Sequence, residues 1–148
     1  PLAGSLTVEP RSIGSGHTII FRFNAPVISI GGVSAVDAAS NPVGSATATI
    51  VGNTVEVTLT GVPDNQRALI FMPNINGTGI NVSLAIGFLT GDVNNSRTVN
   101  SSDISAVKAR SGQTTTAANF MFDVNASGSI NSSDISAVKA RSGLVLAP

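Results

Sequence analysis

The sequence predicts a mainly β protein, with a β-sandwich in residues 1–89 and a small α-helical module in residues 90–148. Residues 1–89 are rich in Val, Ile, Thr and Phe and are interrupted at short intervals by turn-forming residues. The second part repeats itself, because seventeen of the 21 residues in 92–112 recur in 123–143. A chain of 148 residues is long enough for one ordinary domain or two small ones.

Composition excludes several functional classes. Eight Lys and Arg residues balance eight Asp and Glu residues, so no basic surface for nucleic acid is expected. The chain has no Cys, which excludes a thiol nucleophile and a thiolate metal site. No apolar run approaches the roughly 20 residues that a membrane-spanning helix needs. Because the chain begins at Pro1 and not at Met, we expect a processed product or a fragment.

Seven short strands are predicted in the first part of the chain. The alternation of Ile19, Phe21 and Phe23 with polar neighbours is typical of a strand with one buried face. Turn sequences such as Gly52-Asn53 supply the positive φ angles that short strand connections need. The predicted strands are residues 5–9, 17–24, 27–36, 43–51, 54–60, 67–72 and 81–89. Seven strands in so short a segment resemble the immunoglobulin-like class of β-sandwich.

Each copy of the repeat predicts a polar loop followed by a short helix. We call residues 92–103 the first loop and residues 123–134 the second loop. In the first copy, Ile104 and Val107 form a narrow apolar stripe, and Gly112 marks the end of the helix. Ser and Asn residues before the stripe are candidate N-caps. The second copy has the same pattern.

Both loops have the spacing of a twelve-residue calcium loop, whose ligands come from positions 1, 3, 5, 7, 9 and 12. Four of the eight acidic residues of the chain occupy the first and twelfth positions. Hard oxygen ligands without Cys or His favour calcium over zinc. We therefore predict two calcium ions. The predicted ligands are Asp92, Asn94, Ser96, Thr98, Asn100 and Asp103 for one ion, and Asp123, Asn125, Ser127, Ser129, Asn131 and Asp134 for the other.

The two predicted sites differ at the sixth loop position, where a sharp turn favours Gly. This residue is Gly128 in the second loop and Arg97 in the first, and a non-Gly residue there costs about 1 kcal/mol. We therefore expect the first site to be the weaker one. Two formal charges per loop predict affinities near the extracellular range, about 10⁻⁴ to 10⁻³ M. The simpler interpretation, Asn- and Ser-rich turns with helix caps, is disfavoured by two copies in register.

The repeat resembles the type I dockerins. The resemblance rests on two Asp-Val-Asn loops, each followed by Asn-Ser-Ser-Asp-Ile-Ser-Ala-Val-Lys, and covers about residues 91–143. It implies two calcium ions, a compact two-helix module with near two-fold symmetry, and a bacterial extracellular setting. Family members bind cohesin modules through a hydroxyl pair at loop positions 10 and 11 and a basic residue on the helix. The matching residues are Ser101, Ser102 and Lys108, with Ser132, Ser133 and Lys139 as the alternative face. The sequence departs from the family at Ser96 and Ser127, where Asp is usual, and at Arg97.

No catalytic constellation is predicted. His17 is the only histidine and opens an apolar strand, so we interpret it as a strand-end residue. Glu9, Asp37, Glu56 and Asp64 fall on strand faces or turns without the aromatic platforms that a glycosidase site needs. We therefore expect a protein that is not an enzyme.

The N-terminus carries a short alternating strand that is separate from the rest. Leu2, Leu6 and Val8 alternate with small or polar residues, and the Ser- and Gly-rich residues 11–16 follow them. Such a strand can complete a neighbouring sandwich, as in donor-strand pili. The sequence favours the other interpretation, in which it pairs within its own chain as an ordinary first strand.

Two functions remain open from the sequence. In the first, the chain is a structural subunit of a bacterial extracellular fibre or surface layer, and copies associate into a homopolymer. A net charge of zero removes the repulsion that opposes self-association. In the second, it is the terminal part of a secreted protein that a cohesin partner anchors. The sequence favours the first, because no cargo accompanies the module.

Overall fold

A computed structural model describes residues 6–146 and divides them into two compact units. The first unit contains residues 6–13, 64–67 and 86–146, and the second contains residues 14–63 and 68–85. The predicted domain boundary between residues 89 and 90 stays a prediction. In the structure, the beginning of the chain and a short internal segment group with the C-terminal repeats. Leu2 lies outside the described residues.

The described residues contain seven strands and two α-helices, in the order that the sequence predicts. They are β1 (Thr7–Glu9), β2 (His17–Arg22), β3 (Ser34–Val36), β4 (Ser45–Val51), β5 (Thr54–Thr60), β6 (Gln66–Ile75), β7 (Ile80–Phe88), α1 (Ser101–Lys108) and α2 (Ser132–Ala140). A 3-10 turn at Phe120–Phe122 lies between the helices. The prediction of a mainly β chain with a small helical module at its end is confirmed. The immunoglobulin-like arrangement stays a prediction.

The strands form two sheets. One has the order β1-β7-β6-β3 and the other β2-β5-β4. β5 pairs antiparallel with β2 and β4, so that Thr58 lies opposite Thr18 and Thr47. The alternation of β5 buries Val55 and Leu59 in the core of the second unit. No helix among residues 6–146 combines the length and apolarity needed to cross a membrane.

The predicted strand at residues 27–36 is wrong over most of its length, because only Ser34–Val36 is a strand. The side chain of Asn76 accepts hydrogen bonds from the amides of Ile28 at 2.8 Å and Ser29 at 3.3 Å. The amide of Gly31 donates to the carbonyl of Pro73 at 2.7 Å. These contacts satisfy the backbone without a regular ladder, and they override the β propensity of the Val-Ile-Ser-Ile sequence.

The N-terminal strand pairs within its own chain. β1 runs parallel to β7, with Thr7 opposite Ile86 and Glu9 opposite Phe88. Val8 belongs to the buried core of the first unit, and Leu6 packs against that core. The structure therefore contains the in-chain alternative of the two that the sequence left open, and Leu6 and Val8 contact the chain's own core.

Candidate metal centre in the two repeat loops

The two loops follow the same backbone path. Both have a left-handed residue at the fourth position, Asn95 with φ 60° and Ala126 with φ 54°. Both have another at the sixth position, Arg97 with φ 67° and Gly128 with φ 90°. Arg97 therefore adopts the left-handed conformation that favours Gly at this position. This conformation strains the backbone of an L-residue but not that of Gly.

The carboxylate at the first position of the first loop is buried and held by backbone amides. Asp92 has 1% of its surface exposed. The amide of Ser96 donates to its Oδ1 at 2.9 Å, and the amide of Arg97 donates to its Oδ2 at 2.7 Å. The two bonds draw the turn inward around one carboxylate, which fixes its orientation.

The carboxylate at the twelfth position closes the first loop. Asp103 is fully buried and accepts from the amide of Asn94 at 3.3 Å and from the amide of Asn100 at 2.9 Å. Asn100 is also the N-cap of α1, since its side-chain oxygen accepts from the amide of Ser102 at 2.8 Å. Asn100 and Asp103 form a capping box, which places Asp103 beside the third and ninth loop positions.

The second loop repeats this arrangement bond for bond. The equivalent bonds are Ser127 N to Asp123 Oδ1 at 2.9 Å, Gly128 N to Asp123 Oδ2 at 2.9 Å, Asn125 N to Asp134 Oδ1 at 3.1 Å and Asn131 N to Asp134 Oδ2 at 2.9 Å. Asn131 caps α2 as Asn100 caps α1. Asp123 and Asp134 are buried as well. Sequence identity over the loops is therefore matched by identity of geometry.

The pKa of the carboxylate at the first loop position shifts in opposite directions in the two loops. Burial raises the pKa of Asp92, and the neighbouring carboxylate of Asp103 raises it further. Burial also raises the pKa of Asp123, but hydrogen bonds from the Thr115 hydroxyl and from the amides of Gly128 and Ser127 outweigh it and lower the pKa overall. The Thr115 hydroxyl lies 2.7 Å from Oδ2 of Asp123. The carboxylate at the first position therefore has a raised pKa in the first loop and a lowered pKa in the second.

The donor set fits a hard cation. Within residues 6–146, no three His, Cys, Asp or Glu side chains cluster as a metal site. Each loop instead combines two carboxylates with amide, hydroxyl and main-chain oxygens, the donors that calcium accepts. Over the same residues, the ion pairs Arg11–Glu9 and Arg141–Asp64 involve none of the four loop carboxylates. A divalent cation would neutralise buried charge that no ion pair among these residues neutralises.

Several predicted ligands have hydrogen bonds of their own. In the first loop, the Ser96 hydroxyl donates to the carbonyl of Thr98 at 2.9 Å, and the Asn94 side chain accepts from the Ser96 amide at 2.9 Å. Ser127 and Ser129 form the equivalent contact in the second loop at 3.1 Å. These side chains bond within their own loop and are mostly exposed. Their role as ligands stays a prediction.

The residues predicted to bind a cohesin are exposed in both copies, unlike Val8 of the predicted exchange strand, which is buried. They are Ser101, Ser102, Lys108, Ser132, Ser133 and Lys139. Each Ser pair opens a helix, and each Lys lies in its last turn. Both faces are therefore accessible for a partner.

The two identical helices differ in what holds their C-terminal arginines. The guanidinium of Arg110 lies 3.7 Å from the ring centroid of Phe122. Arg141 instead pairs with Asp64, with 2.7 Å between Nε and Oδ2. Burial raises the pKa of Asp64, but bonds from the Thr90 amide and the Arg141 side chain lower it more, so its net shift is downward.

Sequence reasoning missed the contacts of three residues that bind the repeats or the residues beside them. They are Asn95, Thr115 and Asp64. The side chain of Asn95 accepts from the amide of Val8 at 2.7 Å. The replacement of Asn95 by Ala126 in a nearly perfect repeat was a signal for this role. Thr115 and Asp64 lie in polar segments that carried no comparable signal.

Comparison with protein-family models matches residues 90–141 to the Dockerin type I domain. Comparison with curated proteins gives no match for the chain.

Proposed function

Residues 90–141 form a type I dockerin module, and we propose that this module anchors the protein outside the cell by binding a cohesin partner while calcium holds its two loops. Dockerins are non-catalytic assembly modules of secreted and surface-attached proteins, which agrees with an extracellular assembly role. The rest of the chain is the cargo or a spacer in this proposal.

The observation that carries the proposal is the burial of four carboxylates in two loops of the same geometry. Type I dockerins bind calcium, and each loop of this chain brings two carboxylates to a site lined by further oxygens. We propose one ion in each loop. The proposed ligands are those of the sequence pattern: Asp92, Asn94, Ser96, Thr98, Asn100 and Asp103, and Asp123, Asn125, Ser127, Ser129, Asn131 and Asp134. Thr98 and Ser129 would contribute through the main chain.

The proposed contact with cohesin uses the exposed start and end of one helix. Ser101 and Ser102 offer hydroxyl groups in the first turn of α1, and Lys108 offers a charge in the last turn. The equivalent residues of α2 are equally exposed and support the same contact in the second copy. Calcium has an indirect role, since it holds the loops that orient the first turns.

The fibre hypothesis loses one of its supports. Strand exchange needs an N-terminal strand free to leave its chain, whereas β1 pairs with β7 and Val8 is buried. The net charge of zero still permits self-association. We therefore place cohesin anchoring ahead of fibre assembly, which reverses the preference from the sequence.

Calcium titration by calorimetry, followed by cohesin capture, tests the proposal on the full chain. We expect two binding events with calcium and capture by at least one member of a panel of type I cohesins. We also expect chelation to reduce the helical circular dichroism, because the metal supplies folding free energy to a module with little apolar area. The chain has no Trp or Tyr, so circular dichroism is the convenient optical probe.

Two triple variants test the face. Ser101→Ala, Ser102→Ala and Lys108→Ala remove the first face, and the equivalent changes in α2 remove the second. We expect the six changes together to abolish capture. The matched control is Thr49→Ala, which is exposed on β4 and should bind like the wild type. Absence of calcium uptake at millimolar concentration would overturn the proposal, as would capture that persists after all six changes.

A further inference from the structure

Residues 6–13, which we call the strap, contact both calcium loops of the dockerin module. We propose that the strap is an integral part of the module, and that its docking is coupled to calcium occupancy of the two loops. The inference rests on the calcium sites of the proposed function. It goes beyond them, because the strap lies about eighty residues earlier in the sequence than the first loop.

The strap meets the first loop at Asn95. The amide of Val8 donates to Oδ1 of Asn95 at 2.7 Å. Asn95 occupies the fourth loop position with φ 60°, a conformation that directs its side chain to the strap only while the loop keeps its shape. The equivalent residue of the second loop is Ala126, which has no acceptor. The contact is therefore specific to the first loop.

The strap meets the second loop at Val124. The amide of Ser12 donates to the carbonyl of Val124 at 2.7 Å, directly after the first ligand position of that loop. Between these two contacts, the carbonyls of Glu9 and Pro10 accept from the amides of Leu89 at 3.2 Å and Gly91 at 2.8 Å. The strap thus runs from one loop to the other along the chain segment that enters the repeats.

Packing and charge anchor the strap between its ends. Val8 lies in the buried core with Leu89 and Leu146. Arg11 forms two hydrogen bonds with the Glu9 carboxylate, at 2.7 and 2.9 Å, and its guanidinium lies 4.7 Å from the ring centroid of Phe120. The bidentate pair neutralises Arg11, which reduces the repulsion that a cation in the second loop would otherwise exert on it.

Coupling follows because the strap forms its hydrogen bonds with one geometry of each loop. Any ligand that fixes this geometry favours the docked strap, and the docked strap favours the ligand by the same factor. Calcium removal should therefore loosen residues 6–13 as well as residues 91–143. The strap gives the dockerin module a third element beyond its two loop-helix units.

Amide hydrogen exchange of the full chain, with and without chelator, tests the coupling. We expect chelation to accelerate exchange at Val8 and Ser12 by about fivefold or more, the factor that one hydrogen bond supplies. Exchange at Val57 of β5, in the other compact unit, should not change. Calcium uptake with no change at Val8 and Ser12 would overturn the strap proposal alone. Absence of calcium uptake would overturn the proposed function and the coupling together.

The variant Asn95→Gly tests the same contact without backbone strain, because Gly also accepts a positive φ. We expect it to weaken calcium binding in the first loop by about fivefold and to accelerate exchange at Val8. The matched control is Ala126→Gly, which changes the same loop position where no strap contact exists and should leave Val8 exchange unchanged. Unaltered calcium affinity and unaltered Val8 exchange in Asn95→Gly would overturn the proposal.

Discussion

Replacing Arg97 by Gly should stabilise the calcium module. Arg97 has φ 67°, in the left-handed region, and its amide donates to Oδ2 of Asp92 at 2.7 Å. The bond uses the main chain, so the substitution keeps it. The change therefore removes conformational strain and leaves the contact with the buried carboxylate in place.

The expected gain follows from two opposing terms. A left-handed conformation costs an L-residue about 1–2 kcal/mol. Glycine loses about 0.5–1 kcal/mol more chain entropy on folding than alanine does. The difference predicts that Arg97→Gly raises the free energy of unfolding of the module by roughly 1 kcal/mol. If the strain is relieved only in the calcium-bound loop, the same energy appears as about fivefold tighter binding at the first site.

The assay is urea unfolding in saturating calcium, followed by far-ultraviolet circular dichroism, together with calorimetric titration of calcium. Circular dichroism reports on the module, because both described α-helices belong to it. The matched control is Gly128→Ala. A side chain at Gly128 would have no heavy atom within 4 Å, so its expected loss of about 1 kcal/mol comes from the backbone alone. A loss at Gly128→Ala with no gain in either assay at Arg97→Gly would refute the reasoning.

Three further outcomes are expected. Hydrogen bonds lower the pKa of folded Asp64, so its stabilisation is complete above the ordinary Asp pKa, about 3.9, and is lost as pH falls through the lowered value. Asp64→Asn should therefore flatten the acid limb of a stability profile measured by urea unfolding. A Cβ on Gly87 would lie 2.6 Å from Cδ2 of Leu146. Gly87→Ala should therefore lower the free energy of unfolding by about 1 kcal/mol, measured by thermal unfolding, and should lower it less in a Leu146→Ala background. Arg110→Ala should lower the free energy of unfolding by about 1 kcal/mol, because it removes the contact between the guanidinium and the Phe122 ring. The loss should be the same in low and in high salt, which denaturation at two salt concentrations would check.

Features that depend on neighbouring residues could be predicted from the sequence alone. The repeat, the N-caps of α1 and α2 and the sharp turn at the sixth position of each loop were predicted, because caps and turns are set within a few residues. The position of β5 was predicted for the same reason, since its alternation of Val and Thr specifies one buried face. These local rules also identified the carboxylates that the structure buries.

Contacts between distant segments could be identified only in the folded chain. Residues 27–30 have the composition of a strand, yet the side chain of Asn76 accepts from the amides of Ile28 and Ser29. Val8 has the pattern of a strand that can pair with any free edge, and its choice of β7 and Asn95 depends on a surface made by residues about ninety positions away. Such contacts combine many weak energies over long loops, and no single residue type signals them. The dockerin module could therefore be predicted from its own repeat, whereas the strap that contacts both of its loops could not.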